Sequence, residues 1–504
     1  FTYLLTSTLD FFAALPLDSL DLHHVHSNAL PSIPISAAAA VEPIVIHALH
    51  AALANLSDDA PVALFYAHVR LLLAPGPPDS PRSSLAYLIR RRAALLRSGG
   101  AHALWNAHDW DAALAAAATP TLRVNDDATL PAIINKTVSR SSPSTAFKLI
   151  SAAPYIPPTA SVSHLLHAKL TTTTDPLHAM PSALAAVAAA ALPAAGADGR
   201  FPIASQRAEL RATWYSRLRR GKTGAPDGTG LTTSHLLSYE GALTALAQWL
   251  ERISEGRITP THRRLLATKT VGGQCKKLTQ GPKAGSFPSH VSEVVAIRPV
   301  CRHNIVRRHT ARTLARAANT QHRARLVDEH QYGSRPAGCE LAARRSQLYA
   351  DLTHFAHLAL DIINAHTSIS RTAVLEDLLL HAQALTATAN DRRLLIYFLS
   401  YYSFPAATII LADGVVGAVY QIEGLDQGDG VAAHLFNSPY TRRITLALAL
   451  TPHATKTLIH DDATIYAPIA VANADAAASL DASSADPAVP PPVFVPAAAD
   501  FASA

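Results

Sequence analysis

Two short β-prone runs, 457–460 and 463–467, stand either side of an adjacent acidic pair, Asp461 and Asp462, and no other segment limits the possible folds more tightly. Apolar and β-branched flanks with two polar residues between them predict a hairpin, because the polar pair suits the bend while the flanks fill a ladder. This part of the chain is therefore committed to antiparallel sheet. The acidic pair admits two readings. A surface turn accepts polar residues readily. Equally, adjacent carboxylates held on a rigid hairpin repel one another unless a divalent cation neutralises them.

The rest of the chain supplies the context. Its 504 residues, 49% of them hydrophobic, suffice for about three domains with substantial cores. It begins at Phe1 and carries a single methionine, Met180, and so reads as a piece of a longer frame. Residues 1–180, rich in Ala, Leu, His and Pro, read as a largely helical N-terminal region without recognisable chemistry. Residues 181–235 read as a low-complexity and basic linker. Residues 236–470 mix strand and helix patterns, and 471–504 form a Pro- and Ala-rich tail expected to be disordered. No run of about 20 apolar residues is free of Pro, Gly or charge, so no membrane partner is expected. Three widely spaced cysteines, Cys275, Cys301 and Cys339, point to a reducing compartment and form neither a disulfide framework nor a zinc finger.

Charge is unevenly placed. The whole chain carries +6, but residues 200–325 hold 23 of the 43 Lys and Arg and 6 of the 37 Asp and Glu, which leaves +17 there and −11 elsewhere. A basic block beside an acidic remainder is the footprint expected of a polyanion-binding protein. A solvated helical face would interleave more acids.

Within 236–470, "VSEVVAIRPVCRHNIVRRHTARTLARAA" predicts a strand reaching Arg298 and Pro299, then a basic amphipathic helix. "HQYGSRPAGCELAARRSQLYADL" predicts a glycine turn opening a helix. "FAHLALDIINAHTSISRTAVLEDLL" predicts a strand ending at Asp361 with a helix behind it, and "YQIEGLDQGDGVAAHLFN" a polar, Gly-rich loop before an apolar helix. This irregular alternation predicts an α+β fold, an antiparallel sheet covered by helices. Asp361 is a third acid, 100 residues before Asp461. One strand-end aspartate with an aspartate pair on a hairpin is the arrangement that holds two Mg²⁺ ions for in-line phosphoryl transfer.

In order and wording these segments resemble the reverse transcriptase domain of non-LTR retrotransposons. "AIRPVCRHNIVRR" is similar to that family's fingers segment, and "HQYGSRPAGCE" to its Gln-aromatic-Gly…Pro-Gly-Gly segment. "LALDIINAHTSISR" resembles Asp-x-x-Asn-Ala-Phe-Asn-Ser, "EGLDQGDGVAAHLF" resembles Gly-x-x-Gln-Gly-Asp-Pro-Leu-Gly-Pro-x-Leu-Phe, and "LIHDDATI" resembles the aromatic-x-Asp-Asp box. The resemblance implies the fingers and palm of a right-hand polymerase, acting as an RNA-directed DNA polymerase inside the cell, in nucleus or cytoplasm. Its partners would be an RNA template, a DNA primer and dNTPs. Asp361, Asp461 and Asp462 would bind two Mg²⁺ ions, or Mn²⁺. Arg298 would reach the incoming triphosphate with Lys276 or Lys277 as helper, Gln427 and Gly428 would line the nucleotide pocket, and Arg302, Arg307 and Arg308 would contact nucleic acid.

The departures from that pattern also carry information. His366 stands where the family has an aromatic ring that excludes a 2′-hydroxyl, and an imidazole can hydrogen-bond that hydroxyl instead. Gly430, Val431, Ala432 and Ala433 replace Pro-Leu-Gly-Pro, and His460 precedes the acidic pair. No thumb or endonuclease is expected after residue 467. A catalytically inactive nucleic-acid-binding remnant is the alternative. An RNA-dependent RNA polymerase is a third reading, favoured by His366 and opposed by Gln427-Gly428-Asp429.

Overall fold

The computed structural model describes residues 6–14, 33–73, 82–106, 160–192, 226–278, 294–333, 335–362, 364–412, 415–451 and 453–469. The expected linker lies partly, and the expected disordered tail wholly, outside the described residues. The chain divides into two compact units. The first is Phe1–Thr313 with Leu399–Ile422, and the second Leu314–Phe398 with Glu423–Ala504. The boundary expected at residue 236 falls inside the first unit, and the segment 236–470 is shared between both.

The first unit combines helices with a five-stranded sheet. Helix Ile35–Ala54 buries Ala37, Val41, Ile44, Val45, Ala48, Leu49 and Ala52, a stripe at helical spacing. Its length and composition would suffice to cross a membrane. Glu42 and Pro43 interrupt it, however, and Glu42 Oε1 accepts a hydrogen bond from the Gly241 N–H at 2.6 Å within the same unit. Helix Ala60–Leu73 is buried along its whole length. Helix Leu243–Ser254 stops at Gly256, whose φ of +71° suits only glycine comfortably. Thr259 then caps the next helix, Pro260–Ala267, and Pro260 occupies its first turn, where no N–H is needed.

The sheet strands are β1 (Thr172–Thr173), β2 (Lys269–Leu278), β3 (Val294–His303), β5 (Ala406–Ala412) and β6 (Val415–Gln421), in the order β1-β6-β5-β2-β3. All pairings are antiparallel except β2 with β5. Pro299 lies within β3, where its missing N–H is tolerated because β3 is an edge strand. Val162, Leu166 and Leu170 pack against Val271, Ile297, Ile410 and Val419 to form the core under this sheet.

The second unit holds a three-stranded antiparallel sheet of β4 (Phe355–Asp361), β7 (Thr455–Ile459) and β8 (Asp462–Pro468), in the order β4-β8-β7. Helix Gly338–Ala350 lies on it, with the Tyr349 ring stacked on Tyr466 at 4.4 Å and Ser346 hydrogen-bonded to the Tyr466 hydroxyl at 2.7 Å. Both units are mixed helix and sheet, and antiparallel pairs predominate, as an α+β fold requires.

Candidate active site

β7 and β8 form a tight hairpin in which Ile459 pairs with Asp462, leaving His460 and Asp461 as the turn. His460 has φ +53°, a left-handed conformation that suits two-residue hairpins but is uncommon for a residue with a Cβ. β4 runs antiparallel to β8 and ends with Asp361 directly opposite Asp462. Residues paired across a ladder project from the same face, with Cα atoms about 4.5–5.5 Å apart. Sheet pairing thus brings together the two most distant acids of the set, and Asp461 is next in the chain to one of them.

The electrostatics reflect this convergence. Partial burial, followed by the charges of Asp461 and Asp361, pushes the Asp462 carboxyl above its ordinary range, with His460 opposing. Tyr440, buried on helix Ala432–Leu448, donates its hydroxyl to the Asp461 carbonyl at 3.3 Å. Burial raises its phenol first, and then all three aspartates raise it further.

The Gly-rich loop is built against the segment after β4. Gly424 has φ +74°, and a Cβ there would lie 2.2 Å from the Thr367 carbonyl oxygen. The Leu425 N–H donates to the His366 carbonyl at 2.5 Å, and buried Arg371 donates from Nε to the Gly424 carbonyl at 3.1 Å. Asp429 faces inward. Its carboxylate accepts from the Tyr397 hydroxyl at 2.9 and 3.0 Å and from the Val431 N–H at 3.2 Å, so its work is structural. Gln427 is half-buried, and Gly428 is exposed with φ +114°, open to the close approach of a ligand. The His366 ring stacks on Phe436 at 4.8 Å, and Phe436 stacks on Tyr440 at 5.3 Å, a ladder of rings ending beside the aspartates.

The basic candidates lie in the first unit. Arg298 and Arg302 are exposed on β3, four residues apart and so on one face. Lys276 and Lys277 are in β2, and their side chains lie outside the described residues. Arg308 is half-buried, and its charge favours the ionised form of Asp227. Arg307 is a correction to the expected surface. It is fully buried, donates to the Tyr402 hydroxyl at 3.1 Å and to the Ala267 carbonyl at 3.4 Å, and lies 4.6 Å over the Tyr401 ring. A guanidinium so placed is a core element and does not face a phosphate.

Sequence reasoning did not foresee Gln331, Asn437 and Tyr440 as supports of the acidic turn. The Gln-aromatic-Gly segment was visible, but what it touches was not. No family model matches the chain, and no curated protein does. Among solved structures, apo telomerase from Candida tropicalis is similar at 10% identity and TM-score 0.29, over 44% of this chain and 42% of that one. The same telomerase truncated from its C-terminal domain is similar at 12% identity and TM-score 0.27, over 44% of this chain and 48% of that one. This chain thus spans less than half of either protein. At these TM-scores the likeness carries no argument.

Proposed function

We propose that the second unit carries a nucleotidyl-transfer site and that the chain is an RNA-directed DNA polymerase, adding dNTPs to a DNA primer on an RNA template. The observation that carries this reading is the pairing of Asp361 with Asp462, with Asp461 adjacent in the turn. Three carboxylates are hard oxygen donors of the kind Mg²⁺ and Mn²⁺ take, and a divalent cation would relieve the repulsion from Asp461 and Asp361 that adds to burial in raising Asp462. Two divalent cations held by these three aspartates would lower the pKa of an attacking 3′-hydroxyl and would steady a leaving pyrophosphate.

The chain's own residues supply the holding and the access. The hairpin presents Asp461 and Asp462, while β4 presents Asp361. Gly428 leaves room for a nucleotide, Gln427 offers an amide beside it, and His366 offers an imidazole where a sugar hydroxyl would lie. The assignment of Arg298 and Lys277 to the triphosphate, and of Arg302 and Arg308 to the nucleic-acid backbone, rests on the ordered motifs. So does the finer reading, a reverse transcriptase of a non-LTR retrotransposon.

The second reading is an inactive nucleic-acid-binding remnant that keeps the acids and the basic block, while Gly430, Val431, Ala432 and Ala433 stand in place of a rigid turn. Primer extension on poly(rA)/oligo(dT) distinguishes the two. The expected result is dTTP incorporation that requires Mg²⁺ or Mn²⁺ and falls about a hundredfold or more in Asp461→Ala. No extension by folded wild-type protein with either ion would leave the inactive reading. Full activity in Asp461→Ala would mean that the site lies elsewhere, and a preference for UTP over dTTP would point to an RNA polymerase.

A further inference from the structure

The turn that bears Asp461 and leads into Asp462 is held by a segment to which the polymerase reading gives no task. His460 has φ +53° in that turn, a conformation uncommon for a residue with a Cβ and one that surrounding contacts can hold in place. The enforcing group is the side chain of Gln331. Its Oε1 accepts from the His460 N–H at 2.9 Å, and its Nε2 donates to the His460 carbonyl at 3.2 Å, so one amide occupies both backbone polar groups of the strained residue. The same Oε1 accepts from the Gly333 N–H at 2.9 Å, which orients the amide.

The segment around Gln331 is itself fixed to the hairpin. Gln331 is 1% exposed and forms a parallel bridge with Leu458. The Tyr332 N–H donates to the Leu458 carbonyl at 2.8 Å, and the Leu458 N–H donates to the His330 carbonyl at 3.0 Å. Gly333 lies so near the turn that a Cβ there would be 2.7 Å from the His460 backbone nitrogen. From the other side, the Asn437 amide is 3.2 Å from His460 Nδ1, and Tyr440 holds the Asp461 carbonyl. Gln331 directs both its amide oxygen and its amide nitrogen to the turn, an arrangement that specifies one backbone geometry rather than merely filling a core.

We infer that Gln331 is a positioning residue for the divalent-cation site: a buried amide that fixes the left-handed turn and so the aim of Asp461 and Asp462. The inference rests on the reading of the three aspartates as metal ligands. Partners of this kind, which orient ligands without touching the ion, govern metal affinity.

Gln331→Met keeps the length and bulk of the side chain and removes its hydrogen bonds. Two measurements on the full chain test the role: Mn²⁺ affinity from the electron paramagnetic resonance of the free ion, and amide hydrogen exchange of the turn. In Gln331→Met the turn should exchange faster and Mn²⁺ affinity should fall about tenfold. Adding His460→Gly removes the Cβ that makes the left-handed turn costly, so the loss caused by Gln331→Met should be smaller in that background. The comparison of the double variant with His460→Gly applies even where Gln331→Met alone folds poorly. Wild-type exchange and affinity in Gln331→Met, or equal losses in both backgrounds, would overturn the inference. Mn²⁺ binding unchanged by Asp462→Asn would instead remove the metal reading, and exchange at His460 would still decide whether Gln331 holds the turn.

Discussion

Two residues in left-handed backbone show how the same φ is tolerated by different means. His460 is enforced by a buried amide and a close glycine. Ala337, at φ +54°, begins helix Gly338–Ala350 with no side-chain cap bond and is exposed. It stands at the first glycine place of the Pro-Gly-Gly pattern that this segment resembles. The neighbouring place is closed to substitution, because a Cβ on Gly338 would lie 2.0 Å from the Tyr332 carbonyl oxygen. A Cβ in this conformation costs about 1–2 kcal/mol, partly offset by the greater unfolded-state freedom of glycine, so Ala337→Gly should stabilise by about 0.5–1 kcal/mol. A urea midpoint shifted upward with unchanged slope checks this. A downward shift would mean that the Ala337 methyl makes contacts worth more than the strain.

At the scale of elements, the start of helix Ala389–Tyr402 carries a pH dependence. Burial alone would raise the Asp391 carboxyl, but two hydrogen bonds from Arg325, at 2.6 and 3.0 Å, and one from the Thr388 N–H at 2.8 Å outweigh it and hold the pKa at about 2. The folded value lies below the ordinary 3.8, so the stabilisation is present above that value and is lost as pH falls through it towards about 2. Asp391→Asn should cost about 2 kcal/mol at pH 7 and remove that part of the acid sensitivity, as followed by melting between pH 2 and 5. An unchanged acid profile would show that another carboxylate governs it. Elements were legible in the sequence where a local pattern sufficed. β4 ends at Asp361 as expected, but the hairpin turn falls one residue earlier than expected, at His460 and Asp461, so that Asp462 opens β8; β7 begins two residues before, and β8 ends one residue after, the expected runs. The β5–β6 hairpin was not foreseen, although Asp413-Gly414 between β-branched runs is a strong turn signal. The pairing of β4 with β8 was not legible either, since alternation identifies a face and not a partner. Arg307 was misread because a charge count ignores position: it stands at i, i+4, i+7 spacing with Ala311 and Leu314, on a buried stripe of helix Ile305–Val327.

At the scale of the molecule, the basic block of residues 200–325 is expected to dominate affinity for nucleic acid, and the structure sorts its members. Exposed Arg302 should contribute to the salt dependence, and buried Arg307 should not. Arg302→Ala should therefore lower the slope of log affinity against log salt by about 1, whereas Arg307→Met should leave the slope intact and reduce stability. Fluorescence anisotropy across a salt series, with a thermal melt of each variant, separates the two effects. A slope that fell only in Arg307→Met would reverse the assignment. The strand order β4-β8-β7 has a further consequence, for biosynthesis. Among the described residues β4 pairs only with β8, whose first residue follows Asp361 by about 100 positions. At translation rates of ~5–20 residues per second, β4 leaves the ribosome roughly 5–20 s before its partner exists. Throughout that interval Phe355 and Leu358 lie on an unpaired strand, open to association with neighbouring nascent chains, and how crowded the polysome is then bears on the yield of folded protein.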